Sequence, residues 1–236
     1  MPDPARFNSE AQSTTGLLAS YLNPLLHAAL DLIYPPRCSG CGRVDATWCP
    51  RCAHDLSLIA YNIYPRRIAE DFVAAATGLH AGLLQQAIHG LKYENVRQVA
   101  VPLGGRLAVT LERLGWPVEI VVPVPLGAAR LKQRGYNQAE LLAQAFALEA
   151  DLPCLPHALN RQKETQSQVG LNAQQRQENM EEAFVALPEA VAGKIVLIVD
   201  DVLTTGATLY ACAQAALAAG ANSVWGLAVT SASDGS

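Results

Sequence analysis

The chain has 236 residues, half of them hydrophobic, which allows one or two domains and easily fills one sizeable core. Its net charge of −4 argues against a protein held on nucleic acid mainly by bulk charge and leaves room only for a local basic patch.

In chain order, residues 1–16 are polar and without periodicity, and read as a mobile tail. Leu17 to Ile33 is apolar but interrupted by Asn23, Pro24, His27 and Asp31, and no basic segment precedes it. It reads as an amphipathic helix with Asn23 as N-cap and Pro24 in the first turn, rather than as a signal peptide or membrane span. The expectation is a cytoplasmic protein with no membrane insertion.

Next come Cys38-x-x-Cys41 and Cys49-x-x-Cys52, four of the six cysteines, with seven residues between the pairs. Two such turns, helped by Gly40 and Gly42, suit tetrahedral Zn²⁺. Disulfides fit a reducing compartment poorly, a doubled motif outside a βαβ pattern fits thioredoxin-like redox chemistry poorly, and an iron–sulfur cluster is the remaining alternative. With all four positions filled by protein, the role of a zinc ion here is structural. His54 is expected to be a surface residue, and Cys154 and Cys212 buried small hydrophobes. The tail, a module of residues 17–60 and a domain of residues 61–236 are the expected divisions.

Phe72–Thr77 reads as a strand, and Leu84, Ile88 and Leu91 mark a helix over Leu83–Tyr93. A second helix is expected over Val99–Leu114, stopping at Gly115, and a buried strand over Glu119–Val124. After Pro125, small residues form a loop, followed by Arg130, Lys132 and Arg134 at alternate positions and a helix over Gln138–Leu148. Backbone donors and fixed positive charge in this order suit a polyanion such as pyrophosphate, although a solvated basic turn would read the same. Residues 160–180 are polar and glutamine-rich, and form either a lid in which Arg161 and Lys163 cover a bound anion or an exposed connection. His80, His89 and His157 are isolated and receive no role.

The densest segment is Lys194–Thr208, KIVLIVDDVLTTGAT. Ile195–Val199 reads as a strand buried on both faces. Asp200 and Asp201 follow it, and then Thr204, Thr205, Gly206, Ala207 and Thr208 open an alanine-rich helix. Amide groups at the helix N-terminus favour an anion, Gly206 lets backbone approach it, and threonine hydroxyls add donors. The carboxylates would repel a phosphate but can accept hydrogen bonds from hydroxyls or help hold a divalent cation. The ligand is therefore expected to carry a phosphate with vicinal hydroxyls beside it. An ordinary buried strand with Thr204 or Thr205 capping the next helix leaves the adjacent acidic pair unexplained.

This segment resembles the phosphoribosyl-pyrophosphate (PRPP) fingerprint of type I phosphoribosyltransferases. Tyr34-Pro-Pro before the cysteines, Leu91-Lys92-Tyr93, Val122-Pro-Val-Pro125, Arg130-x-x-x-Arg134-Gly-Tyr-Asn-Gln138 and a polar loop with Arg161, Thr165, Gln168, Arg176 and Asn179 extend the likeness over about Leu17 to Thr230. Together they resemble the ComF family, associated with bacterial competence, in which Phe is more usual than Tyr136. The resemblance implies an α/β, Rossmann-like type I phosphoribosyltransferase fold, a parallel sheet flanked by helices, with a small N-terminal four-Cys zinc module. It assigns the ribose hydroxyls to Asp200 and Asp201, the 5′-phosphate to Thr204–Thr208 and Mg²⁺-bound pyrophosphate to the loop after Pro125, with Lys92, Arg130 and Arg134 nearby. Two functions stay open: transfer of a phosphoribosyl group to an unidentified acceptor, or a PRPP- or nucleotide-sensing module that contacts single-stranded DNA or competence proteins. Thr204 stands where purine-salvage members carry an acid, so no obvious general base is supplied. The chain begins Met1-Pro2, without the N-terminal Cys of amidophosphoribosyl members.

Overall fold

The computed structural model describes residues 35–63, 65–162 and 183–232. The expected tail, the helix over residues 17–33 and most of the polar loop, Lys163, Thr165, Gln168, Arg176 and Asn179 included, lie outside the described residues.

The two cysteine pairs are followed by helix α1 (Pro50–Leu58), with Cys49 as its N-cap. An edge hairpin, β1 (Arg66–Ala69) and β2 (Phe72–Ala76), leads to α2 (Gly82–Tyr93). A 3₁₀ turn over Arg97–Val99 runs into α3 (Ala100–Leu114), which ends at Gly115 in the left-handed conformation. Strand β3 (Ile120–Pro123) is followed by α4 (Ala128–Arg134) and α5 (Gln138–Glu149). A two-stranded ribbon pairs β4 (Leu159–Arg161) with β5 (Phe184–Ala186), and the short α6 (Pro188–Val191) follows. The chain then forms β6 (Ile195–Leu203), α7 (Ala207–Ala218) and β7 (Ser223–Ser231).

The main sheet has the order β1-β2-β7-β6-β3. It is parallel except for β1, which pairs antiparallel with β2 at the edge. The centre is aliphatic because both faces are covered. Side chains alternate along β6: Leu197 and Val199 face a core shared with α2, α3 and α5, whereas Val196 and Ile198 face one shared with α7. Helices on both faces of a parallel sheet are the expected Rossmann-like architecture.

Two sequence expectations need correction. Strand β6 does not stop at Val199; it pairs with β7 as far as Leu203–Ser231, so Asp200 and Asp201 lie inside the strand. The basic segment is a helix, α4, and not a loop with cations at alternate positions. Arg130 and Arg134 are therefore one turn apart on a common face, and Lys132 is turned away. Strand β1 carries no sequence expectation: it is short and cationic, as suits an exposed sheet edge.

The cysteine module packs into the larger core. Cys38, Trp48, Cys49, Cys52 and Leu56 are buried together with Leu84, Ile88 and Leu91 of α2 and Leu103 of α3. The chain leaving the module is pinned by Arg106, which is buried and donates to the carbonyls of Ile59 (2.7 Å) and Ala60 (3.2 Å).

Candidate functional site

Because β6 is pleated, the acidic pair is divided between the two faces of the sheet. Asp201 follows Leu197 and Val199 toward the α2 side, and Asp200 follows Val196 and Ile198 toward α7. The backbone N–H of Asp201 donates to Asp200 Oδ1 at 2.8 Å.

Asp201 is 3 % exposed, and Lys92 Nζ lies 2.7 Å from its Oδ1. Its second oxygen, Oδ2, is buried with no hydrogen-bond partner among the described residues. A buried carboxylate oxygen left unpaired is costly and marks a place where a partner is awaited. Beside it, His80 Nδ1 lies 2.8 Å from Thr230 Oγ1, which lies 3.4 Å from the Asp201 carbonyl. If the threonine donates to that carbonyl, His80 carries its proton on Nδ1. Burial, helped by Lys92, lowers the His80 pKa against the opposing effect of Asp201. His80 is thus part of the site although its isolation in the sequence gave no hint of it. Only the parallel alignment of β2 with β7 brings it to Thr230.

Burial, and then the neighbouring Asp201 carboxylate, push Asp200 up to about 7; the Asp201 amide and Lys92 oppose them. Asp200 therefore changes charge near neutral pH and is easily ionised by an arriving cation or hydroxyl donor.

Beyond β6, Thr204 and Thr205 are exposed, and Thr205 Oγ1 accepts from the Ala207 N–H at 3.3 Å. Ala207 and Thr208 form the first turn of α7. Gly206 does not lie open to a ligand as expected. It is buried, has φ +87°, and a Cβ there would come within 2.7 Å of Ile68 Cδ1. Glycine is required by the left-handed backbone and by the β1 side chain above it. From the same strand, Arg66 Nη1 donates to the Thr204 carbonyl at 3.0 Å. Arg66, which is 138 residues from Thr204, and Ile68, which covers Gly206, steady this loop but carried no sequence signal.

The remaining basic candidates converge. Lys92, Arg130 and Arg134 line one cavity of about 270 Å³ with Tyr93, Asn95, Gln133 and Tyr136, and no carboxylate is among these lining residues. Arg134 lies over the Tyr93 ring at 5.5 Å and hydrogen-bonds Gln138. Asn137 joins two elements: its Nδ2 donates to the Val124 carbonyl at 2.9 Å, and its Oδ1 accepts from the Ala139 N–H, capping α5. The Arg161 side chain packs over Gly127 at the start of α4.

The cysteine module meets the requirements of a zinc site. The four sulfur atoms lie within 4.8 Å of one another. Cys41 and Cys49 Sγ are 3.7 Å apart, close to the ~3.8 Å edge of a tetrahedron with Zn–S bonds of about 2.3 Å. The Cys49 N–H donates to Cys38 Sγ at 3.3 Å. Burial opposes ionisation of Cys38, but the N–H groups of Cys49, Gly40 and Cys41 outweigh it and lower its pKa to about 7. Burial and the adjoining sulfurs push Cys52 up. Such crowded thiols ionise together only around a cation, and Cys38, Cys41, Cys49 and Cys52 would hold it. Gly40 serves this packing by its size, since a Cβ would lie 2.6 Å from Cys52 Sγ. His54 is outside the cluster. Cys212 is fully buried as expected, whereas Cys154 is only partly so.

Comparison with known proteins agrees with both halves. A phosphoribosyl transferase domain family matches residues 130–232, and a double zinc ribbon domain family matches residues 29–67. The chain is 40% identical over 114 residues to Competence protein F of Haemophilus influenzae, covering 47% of this chain and 50% of that protein. It is 31% identical over 197 residues to DNA utilization protein YhgH of Escherichia coli K12, covering 79% of this chain and 85% of that protein. A 31% identical match to Competence protein ComFC of Bacillus subtilis covers 43% of this chain and 39% of that protein. Among solved structures, the B. subtilis glutamine PRPP amidotransferase complexed with ADP and GMP aligns with a TM-score of 0.44 at 18% identity, covering 60% of this chain and 30% of that one. The extended match to the E. coli relative, the transferase-domain match and the zinc-ribbon match together place the chain, which joins a zinc-ribbon module to a phosphoribosyltransferase-type domain, in the ComF family.

Proposed function

We propose that the protein binds Mg²⁺-PRPP, or a nucleotide sharing its ribose 5′-phosphate, at the carboxyl end of β6. The unpaired, buried Asp201 Oδ2 carries this reading. Three residues after Asp201 the chain enters a threonine-rich turn that leads into the first amides of α7, so one end of the site suits hydroxyls and the other a phosphate. Lys92 neutralises Asp201 in the free protein, and ligand entry displaces its ammonium toward the phosphates. The cavity lined by Arg130 and Arg134 supplies positive charge for the pyrophosphate. If turnover occurs, an acceptor displaces pyrophosphate at the anomeric carbon, and the protein contributes positioning and stabilisation of the leaving group's charge.

Isothermal calorimetry with Mg²⁺-PRPP tests the site. Saturable binding is expected, and Asp201→Asn should weaken it by about tenfold or more, the cost of a lost charge-assisted hydrogen bond. Unchanged affinity in the Asp200→Asn, Asp201→Asn double variant would remove the proposal. The names of the relatives, which speak of competence and DNA utilisation, favour a second reading in which the site senses PRPP or a nucleotide within DNA uptake. Pyrophosphate release over a panel of bases and amines separates the two, and gel shifts with single-stranded DNA over a salt series test the partner, because phosphate contacts weaken steeply with salt. A cytoplasmic location belongs to the same proposal; among the described residues no helix is long and apolar enough to cross a membrane.

A further inference from the structure

We infer that the cysteine module positions Lys92, so that metal loading of the module sets the ligand affinity of the site on β6. The inference rests on the PRPP reading for its binding arm only. Ser39, inside the Cys38-x-x-Cys41 turn, donates from Oγ to Glu94 Oε2 at 2.6 Å. Glu94 is the residue that closes α2: its N–H donates to the Gly90 carbonyl at 3.1 Å, and its other carboxylate oxygen lies 3.1 Å from His89 Nδ1.

The same serine is wedged against the helix backbone. A Cβ on Gly90 would lie 2.8 Å from Ser39 Oγ, so the absence of a side chain at position 90 is what lets the turn sit there. Lys92 lies between Gly90 and Glu94, and its Nζ reaches Asp201. The module thus grips the last turn of α2 on both sides of the lysine. The sulfur cluster fixes the conformation of the turn that carries Ser39, with Gly42 N–H donating to the Cys38 carbonyl at 2.7 Å and Cys49 N–H donating to Cys38 Sγ. Losing the metal or oxidising the thiols releases that turn, and the α2 terminus then loses its outer support.

A second contact between module and body supplies an internal control. Gln98 Nε2 donates to Thr47 Oγ1 at 2.9 Å, and the Thr47 carbonyl accepts from the Ser39 N–H at 3.1 Å, so this contact holds the same turn through its backbone without touching Glu94. If the module only anchors the fold, losing either contact has the same consequence. If it positions Lys92, only the Ser39–Glu94 contact reaches the site.

The experiment compares full-length zinc-loaded protein, the same protein stripped with a chelator, and the Ser39→Ala, Ser39→Thr, Glu94→Gln and Gln98→Ala variants. Two readouts are taken: the amidination rate of Lys92 by mass spectrometry, and calorimetric affinity for Mg²⁺-PRPP. Ser39→Ala is expected to speed Lys92 modification and weaken PRPP binding by about fivefold, the scale of one lost hydrogen bond. Ser39→Thr should restore both, and Gln98→Ala should alter neither. Zinc removal should move both readouts in the direction of Ser39→Ala. Lys92 reactivity unchanged by Ser39→Ala, or equally changed by Gln98→Ala, overturns the inference, and neither outcome depends on zinc-free protein remaining folded. Absence of PRPP binding in zinc-loaded wild type, with Lys92 reactivity still following Ser39, would instead refute the ligand reading and leave the positioning role standing.

Discussion

At the scale of single residues, the site depends on charges held where water is scarce. Lys92 and Asp201 form a largely buried pair. Lys92→Met leaves Asp201 uncompensated and is expected to destabilise the fold by about 3 kcal/mol, as read by urea denaturation. Asp200 behaves in the opposite sense. Its pKa is raised from 3.8 to about 7, so the folded state holds a proton that the unfolded chain has released. Its contribution to stability is fully present below pH 4 and is lost as pH rises through 7. Asp200→Asn should therefore stabilise the ligand-free protein at pH 8 by roughly 1–2 kcal/mol after solvent screening is allowed for, while weakening PRPP binding. The acidic pair was legible because it is contiguous. Its division between two faces follows from the pleat once the strand is known to continue past Val199. Ile68 over Gly206, and His80 beside Thr230, depend on strand alignment that local pattern does not carry.

At the scale of elements, legibility followed the burial of one face. Leu84, Ile88 and Leu91 of α2 are all buried, and the helix found, Gly82–Tyr93, differs from the expected span by one residue. Helix α4 has no buried residue, hence no apolar stripe to read, and its flanking glycines resemble loop signals. Asn137 shows what the Arg-Gly-Tyr-Asn-Gln motif does for the fold: it caps α5 and ties it to the end of β3. Asn137→Ala should cost about 1–2 kcal/mol in thermal denaturation, from the lost cap and the Val124 carbonyl left without its donor. Asn137→Asp should recover part of that loss, because it keeps the cap acceptor and loses only the donor.

At the scale of the whole molecule, the cysteine module and the sheet share one core, since Cys38, Cys49 and Cys52 are buried with residues of α2 and α3. Zinc should bind at one ion per chain, and its removal should lower the temperature of the main unfolding transition rather than melt the module separately. The four-thiol cluster was legible from cysteine spacing, but the helix that follows it and the junction with α2 were not, the latter because Ser39 and Glu94 are 55 residues apart. The most direct test of the central claim is a crystal structure of the protein soaked with Mg²⁺-PRPP. A ribose hydroxyl on Asp201 Oδ2, with the 5′-phosphate on the amides of the Thr204–Thr208 turn, is the predicted result. Ligand density elsewhere, with Asp201 still closed against Lys92, would contradict it.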